Sequence, residues 1–97
     1  MQVKFLGFGD FKDEIKKAVS DEIKFLTDTY QQEVKKRTPI DTGKARRGWK
    51  KRTSSKSGEI RNRVPYIEKL EDGYSRQAPN GFVKQALTAT LNKRKLK

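Results

Sequence analysis

Residues 11–34, FKDEIKKAVSDEIKFLTDTYQQEV, decide the fold of this chain. Apolar side chains recur here every three or four positions and form a single stripe: Phe11, Ile15, Val19, Ile23, Leu26, Tyr30 and Val34. This is the spacing of one face of an α-helix, and the opposite face is polar throughout. The pattern predicts one long amphipathic helix whose apolar stripe packs on the rest of the domain.

Both ends of this helix carry sequence signals. Asp10 stands where a carboxylate can accept hydrogen bonds from the free backbone N–H groups of the first turn. Pro39 disfavours helical geometry at Thr38, so the helix is expected to span residues 10–38. A turn follows over residues 38–43, where Pro39 and Asp41 are typical turn residues and Gly43 allows a positive φ.

The two stretches after the turn predict a β-hairpin. Residues 59–64 alternate Ile60, Asn62 and Val64 with charged side chains, as a half-buried strand does. Residues 48–53 are expected to pair with them across a flexible polar stretch. Residues 1–9 are a short apolar N-terminal arm, which is either an edge strand or a segment that docks on a neighbouring copy.

Two further helices are predicted. Pro65 precedes a short helix over residues 66–72, in which Tyr66 and Leu70 share an apolar face, and Gly73 stands where glycine commonly ends a helix. The helical spacing returns over residues 81–91, and residues 92–97 are expected to be a flexible basic tail. The order predicts a single α+β domain over residues 1–97, with the long N-terminal helix packed on a small antiparallel sheet.

The composition narrows the classes of function. Only 32% of the 97 residues are apolar and 37% are charged, so one modest core is expected, supported by contacts with other copies. Cysteine and histidine are both absent, which removes disulfides, the usual zinc ligands and the commonest general base. We therefore predict no enzyme activity, no cofactor and no metal. No apolar run approaches the length of a membrane span, so we expect assembly in the cytoplasm.

The net charge of +12 lies in the second half of the chain. Residues 1–43 hold eight acidic and eight basic side chains, whereas residues 44–97 hold four acidic and sixteen basic ones. Six of the nine residues in KARRGWKKR, residues 44–52, are basic. We predict that residues 44–58 form a long basic loop that contacts a polyanion, either a nucleic acid or an acidic protein surface.

The candidate contact residues come from this loop and from the loop before the last helix. Arginine suits carboxylates as well as phosphates, and tryptophan is favoured in cores and interfaces over a role in stacking on bases. Gln77 and Arg76 are expected to tie their loop to a neighbouring subunit. The predicted contact residues are Arg46, Arg47, Trp49, Lys50, Lys51, Arg52, Arg76 and Gln77.

Three stretches together resemble a known family. Residues 37–46, RTPIDTGKAR, resemble the element P-[VI]-D-T-G-x-[LA]-[RK] of small tail-completion, or head–tail joining, proteins of tailed bacteriophages. Residues 62–73, NRVPYIEKLEDG, resemble their element N-x-x-P-Y-[AI]-x-x-[LV]-E-x-G. Residues 75–83, SRQAPNGFV, are similar to the run S-x-Q-A-P-x-G-[MF]-[VL] that opens their last helix. The order and spacing agree over residues 10–91.

The resemblance implies a structural virion protein without catalytic activity. Such proteins form a ring, typically hexameric, in the neck of the particle, between the head connector or adaptor and the tail tube or its terminator. It also implies an α+β fold whose sheet loops contact neighbouring rings, which assigns that role to residues 45–58. The charge alone favours an alternative, a small basic nucleic-acid-binding module, and non-specific contact with genomic DNA is possible in either case. A third possibility is a regulator that binds an acidic host protein.

Overall fold

The structure is a computed structural model that describes residues 1–7, 13–40, 43–73 and 77–95. Within them the elements are β1 (Gln2–Leu6), α1 (Asp13–Arg37), α2 (Lys44–Arg47), β2 (Trp49–Thr53), β3 (Ser57–Asn62), α3 (Ile67–Glu71) and α4 (Val83–Lys95). The predicted α+β class, with a long helix on a small antiparallel sheet, is confirmed. The helix-capping prediction for Asp10 and the predictions for Asp41 and Arg76 lie outside the described residues.

The sheet has three antiparallel strands in the order β1-β3-β2. The predicted hairpin is confirmed, with Trp49 opposite Asn62 and Thr53 opposite Gly58. β1 pairs with the other side of β3, where Val3 lies opposite Ile60. The N-terminal residues are therefore an edge strand of the chain's own sheet and not an arm on a neighbour.

The core lies between the sheet, the C-terminal half of α1 and α4. Tyr30 and Val34 of α1 are fully buried there, together with Ile60 from the central strand. Trp49 contacts Phe82 edge to face, with ring centroids 6.4 Å apart. The buried stripe ends before the helix does, since Ile15 near the start of α1 is 47% exposed. The sheet and α4 thus cover only part of the predicted apolar face.

Two segments that the sequence suggested to be irregular are ordered. The predicted basic loop over residues 44–58 consists of α2, β2, a tight turn and the start of β3. α2 is anchored because Ala45 is buried and its carbonyl accepts a hydrogen bond from Asn62 Nδ2 at 2.8 Å. Residues 92–95 of the predicted flexible tail belong to α4, which begins at Val83 because Glu71 Oε2 accepts from the N–H groups of Phe82 (3.0 Å) and Val83 (2.9 Å).

A buried carboxylate explains why α4 extends so far. Glu33 of α1 is 1% exposed, and its oxygens form ion pairs with Arg37 of the same helix and Lys93 of α4. Arg94 pairs in the same way with Glu22. A buried charge that lost these partners would be strongly destabilising. The basic residues 93 and 94 therefore join α4 to α1 and are part of the fold.

Low pH is expected to weaken the ion pairs of Glu33 that join α4 to α1. The hydrogen bond from Lys93, opposed by burial and reinforced by Arg37, lowers the pKa of Glu33 from 4.5 to about 2. Because the folded state lowers this pKa, ionised Glu33 stabilises the protein at pH values above 4.5, the pKa of the unfolded state. That stabilisation is lost as the pH falls from 4.5 towards 2 and the carboxylate is protonated in the folded protein as well. Glu33→Gln should therefore destabilise the protein by about 2–3 kcal/mol at pH 7 and by much less near pH 2.

Urea unfolding followed by circular dichroism at both pH values measures this difference. Glu68→Gln is the matched control, because Glu68 is an exposed carboxylate on α3. It should change neither the stability nor its pH dependence. A loss of stability in Glu33→Gln that is equally large near pH 2 would show that packing, and not charge, is the cause.

Candidate functional site

The basic segment that was predicted to contact partners does not form one surface. Arg46 turns back on the end of α1, where its Nε donates to Thr38 O (3.1 Å) and its Nη2 to Lys36 O (3.0 Å). Lys51 faces α1, and its Nζ pairs with Asp28 Oδ1 at 2.7 Å. These two cations therefore stabilise the chain's own structure, although both were predicted to contact a partner.

Two other predicted contact residues are also used within the chain. Trp49 is 1% exposed, and its indole N–H donates to Thr38 Oγ1 at 2.8 Å, so neither a partner nor a base can reach the ring. Gln77 Nε2 donates to Ile40 O at 2.7 Å, and its Oε1 accepts from Ile40 N at 2.8 Å. This pair of bonds holds the loop of Gln77 against the turn that follows α1.

Five of the predicted turn and motif residues lie in the described part of the chain. Pro39 is buried just after the end of α1, and Pro65 precedes α3. Gly43 and Gly73 have φ of 82° and 93°, as predicted, and a side chain at Gly73 would also collide with the carbonyl of Pro79. Tyr66 packs against the core cluster. These residues maintain the fold.

Two other cations of the segment, Lys50 and Arg52, lie on the sheet face that points away from α1. Side chains alternate between the two faces of a strand, so Trp49 and Lys51 point towards the helix while Lys50 and Arg52 point outward. The register brings cations from the other strands beside them. We call this surface the basic sheet face and define it as Lys4, Lys50, Arg52, Arg61 and Arg63.

The electrostatics of the basic sheet face are strongly one-sided. Lys50 lies directly opposite Arg61, and like charges in that position destabilise a sheet. Glu59 is the one acidic residue of β2 and β3, and it lies between Lys4 and Arg52 in the register. Its Oε1 is 3.6 Å from Arg61 Nε. One carboxylate against five cations leaves a local excess of positive charge that suits an anionic ligand.

A shallow groove of about 380 Å³ opens at one end of this face. Its walls include the cations Lys50, Arg61 and Arg63, and Val64 and Pro65 form its apolar part. The groove is wide enough for an anionic group to approach all three cations. None of the described residues that line it carries a carboxylate that would oppose an anion.

The sequence predicted the position of only some residues of the basic sheet face. The alternation of Glu59, Arg61 and Arg63 opposite Ile60 showed that both arginines face away from the core. Lys4 could not be placed, because its position beside Glu59 depends on the pairing of β1 with β3. No local pattern in the sequence predicts which strand joins the second edge of a hairpin.

Neither a metal centre nor a membrane-spanning helix is found in the described part of the chain. Among the described residues, no group of acidic side chains is arranged to hold a metal ion. In that same part of the chain, no helix has the length and apolar character needed to cross a bilayer. The fold and the basic sheet face together define a small basic α+β protein.

The family follows from comparison with known proteins. Residues 7–73, more than half of the chain, match the profile of the family described as "Bacteriophage HK97-gp10, putative tail-component". The protein belongs to this HK97 gp10-like family. The resemblance to tail-completion proteins of tailed phages is thereby confirmed. Comparison with curated proteins and with solved structures gives no match.

Family membership identifies the protein as a phage tail component. It accordingly interacts with other structural proteins of the phage and is part of the virion.

Proposed function

We propose that this protein is a structural subunit of the phage neck, which assembles into a hexameric ring between the head connector and the end of the tail tube. It acts without catalysis, and its neighbours are a connector or adaptor protein on one side and the tail tube or its terminator on the other. Support comes from the family, from the three sequence elements and above all from the apolar surface that one chain leaves uncovered.

The larger part of that surface lies at the start of α1. A groove of about 580 Å³ runs between β1 and the N-terminal half of α1, and we call it the β1–α1 groove. Its apolar lining consists of Phe5, Leu6, Gly7, Ala18, Val19, Ile23 and Leu26. Leu6 is 54% exposed at its edge. β1 is also an edge strand, whose unpaired backbone groups can pair with a neighbour.

A second, different apolar site lies at the other end of α1. Ile40 is 48% exposed, and it lines an open groove, the Ile40 groove, with Gly43 and the cations Lys35, Lys36, Arg46 and Arg47. The α1 residues that line the two grooves are centred about 14 positions apart, so at 1.5 Å per residue the grooves are separated by roughly 20 Å along the helix. Two different sites at opposite ends of an elongated subunit favour head-to-tail contact, which closes into a ring when the rotation per subunit permits.

Light scattering tests this arrangement. The wild-type protein should have the mass of a hexamer of 11.2-kDa chains, and electron microscopy should show rings at tail ends. Leu6→Glu and Ile40→Glu should each give monomers, because each places a charge in one of the two contact sites. Leu91→Glu is the matched control, since Leu91 is 40% exposed on α4 and lines neither groove, and it should leave the hexamer intact.

Mixing the two monomeric variants separates a ring contact from a symmetric dimer. In a head-to-tail contact, the intact Ile40 groove of one variant can meet the intact β1–α1 groove of the other, so the mixture should form dimers and no rings. A wild-type protein that stays monomeric at high concentration and does not bind tails would overturn the proposal.

A nucleic-acid-binding module remains the second candidate function, and the observation in its favour is the basic sheet face. The burial of Trp49 removes the aromatic platform that stacking on single-stranded bases requires. If the protein binds nucleic acid, the binding would therefore depend on contacts with phosphates alone.

A further inference from the structure

We propose that the basic sheet face is a binding site for double-stranded DNA that contacts phosphates without reading the base sequence. This goes beyond a role in ring assembly, because four of the five cations line neither of the grooves that would join neighbouring copies, and Lys4 alone also borders the β1–α1 groove. Four of the five cations come from three adjacent strands, which lie about 4.8 Å apart, so the patch is roughly 10 Å wide across the strands. Arg63 directly follows the end of β3.

Within the described residues, the positive charge of this face contributes to the fold only through the ion pair between Arg61 and Glu59. Arg46, Lys51 and Lys93 each make internal contacts, whereas Lys50 lies opposite Arg61 at the cost of repulsion. An uncharged polar residue in either position would stabilise the sheet by removing that repulsion. The arrangement is explained by an anionic ligand that neutralises both side chains.

The shape and chemistry of the face favour a duplex over a single strand. The residues that the register places on this side of the sheet are Gln2, Lys4, Leu6, Lys50, Arg52, Ser57, Glu59 and Arg61. None of them is aromatic, so unpaired bases have nothing to stack on. Contacts of lysine and arginine with phosphates need no exposed base, and a duplex presents one phosphate charge per 1.7 Å of its axis.

The same residues favour DNA over an acidic protein surface. The apolar side chains of this face lie at its corners, with Leu6 at one end and Val64 and Pro65 at the groove. Protein interfaces have a centre that is depleted in charge and enriched in apolar and aromatic residues. Interfaces with DNA are more polar and far more positive, which matches the centre of this face.

Fluorescence anisotropy with a labelled 20-base-pair duplex, measured over a series of KCl concentrations, tests the proposal. A protein with this net charge binds DNA weakly through any cationic patch, so the design compares two variants of equal charge. The test variant replaces four cations of the face by glutamine: Lys50, Arg52, Arg61 and Arg63. The control variant replaces four exposed lysines elsewhere by glutamine: Lys17, Lys24, Lys69 and Lys84.

The test variant should lose between about three and four units from the slope of log K against log salt, because each phosphate contact contributes about 0.9. Its dissociation constant at 0.1 M salt should rise by at least about tenfold, while the control variant should stay within about threefold of wild type. Circular dichroism and light scattering on both variants check that the fold and the oligomeric state are unchanged.

Three results would overturn the proposal. Equal losses in the two variants would mean that net charge alone attracts DNA. If polyglutamate of equal charge bound as tightly as the duplex, the partner would be an acidic protein surface. If a 20-residue oligothymidine bound more tightly than the duplex, the ligand would be single-stranded DNA. The outcome is independent of ring formation, since light scattering reports assembly of the same variants separately.

Discussion

Replacing Trp49 by alanine should lower the free energy of unfolding by about 3–5 kcal/mol, the range for removing a large buried aromatic side chain. Trp49 is the largest fully buried side chain, it packs edge to face on Phe82, and its N–H is bonded to Thr38. A domain of this length has a total stability of roughly 5–15 kcal/mol. The substitution is therefore expected to remove a large share of the stability and to leave a measurable unfolded fraction at moderate temperature.

Urea unfolding followed by far-ultraviolet circular dichroism measures this effect, because Trp49 is the sole tryptophan and its removal abolishes the fluorescence signal. Trp49→Phe is the control that keeps an aromatic ring beside Phe82 and removes the N–H donor, so it should lose a smaller share of the stability. If Trp49→Ala unfolded at the wild-type urea concentration and lost only its binding to tails, Trp49 would be a contact residue after all.

Gly58→Ala is expected to destabilise the protein by about 2–3 kcal/mol, the upper part of the range for overpacking a core. Gly58 is buried in the middle strand, and a Cβ there would overlap Oγ1 of Thr27 and lie 3.0 Å from its Cβ. Strand preference alone predicts the opposite sign, because glycine inside a strand is less favourable than alanine. The sign of the effect therefore shows whether packing of α1 on β3 outweighs local preference.

A double-mutant cycle identifies the residue responsible. Thr27→Ala removes the overlapping oxygen, whose hydroxyl otherwise donates to Ile23 O at 2.7 Å. In that background, Gly58→Ala should cost markedly less, since only the closer contacts with the Cβ of residue 27 and with Ile23 Cγ2 remain. Both unfolding free energies come from the same urea titrations, and strict additivity of the two substitutions would contradict the proposed overlap.

Local patterns predicted the elements of the fold well. The three- and four-residue spacing placed the long helix, and the alternation around Ile60 placed the central strand, because both signals depend on side chains a few positions apart. The short helix before Gly73 was also predicted, and the structure has it over Ile67–Glu71. Within the predicted basic loop, α2 over Lys44–Arg47 was missed, because the anchoring of Ala45 by Asn62 involves residues seventeen positions apart.

The sequence predicted the positive charge of the candidate site but not which residues form it. The charge asymmetry correctly indicated a concentration of cations in the second half of the chain. The sequence alone could not show which of those cations bond within the chain and which are left for a ligand. That depends on the sheet face each side chain lies on and on which acidic side chains are close to it. Arg46 and Lys51 are bonded within the chain, while Lys4 joins Arg61 from a distant part of the sequence.

The amino-acid sequence by itself determined the α+β class, the long helix, the hairpin, the positive-φ glycines and the family, since each depends on residues that are neighbours along the chain. Only the tertiary structure decided that Trp49 is core, that Lys93 and Arg94 hold α4 to α1, and that cations from three strands share one face. The physical reason is that burial and charge pairing depend on distances in space between residues far apart in sequence. Those distances are set by how α1 and β1 pack on the central strand.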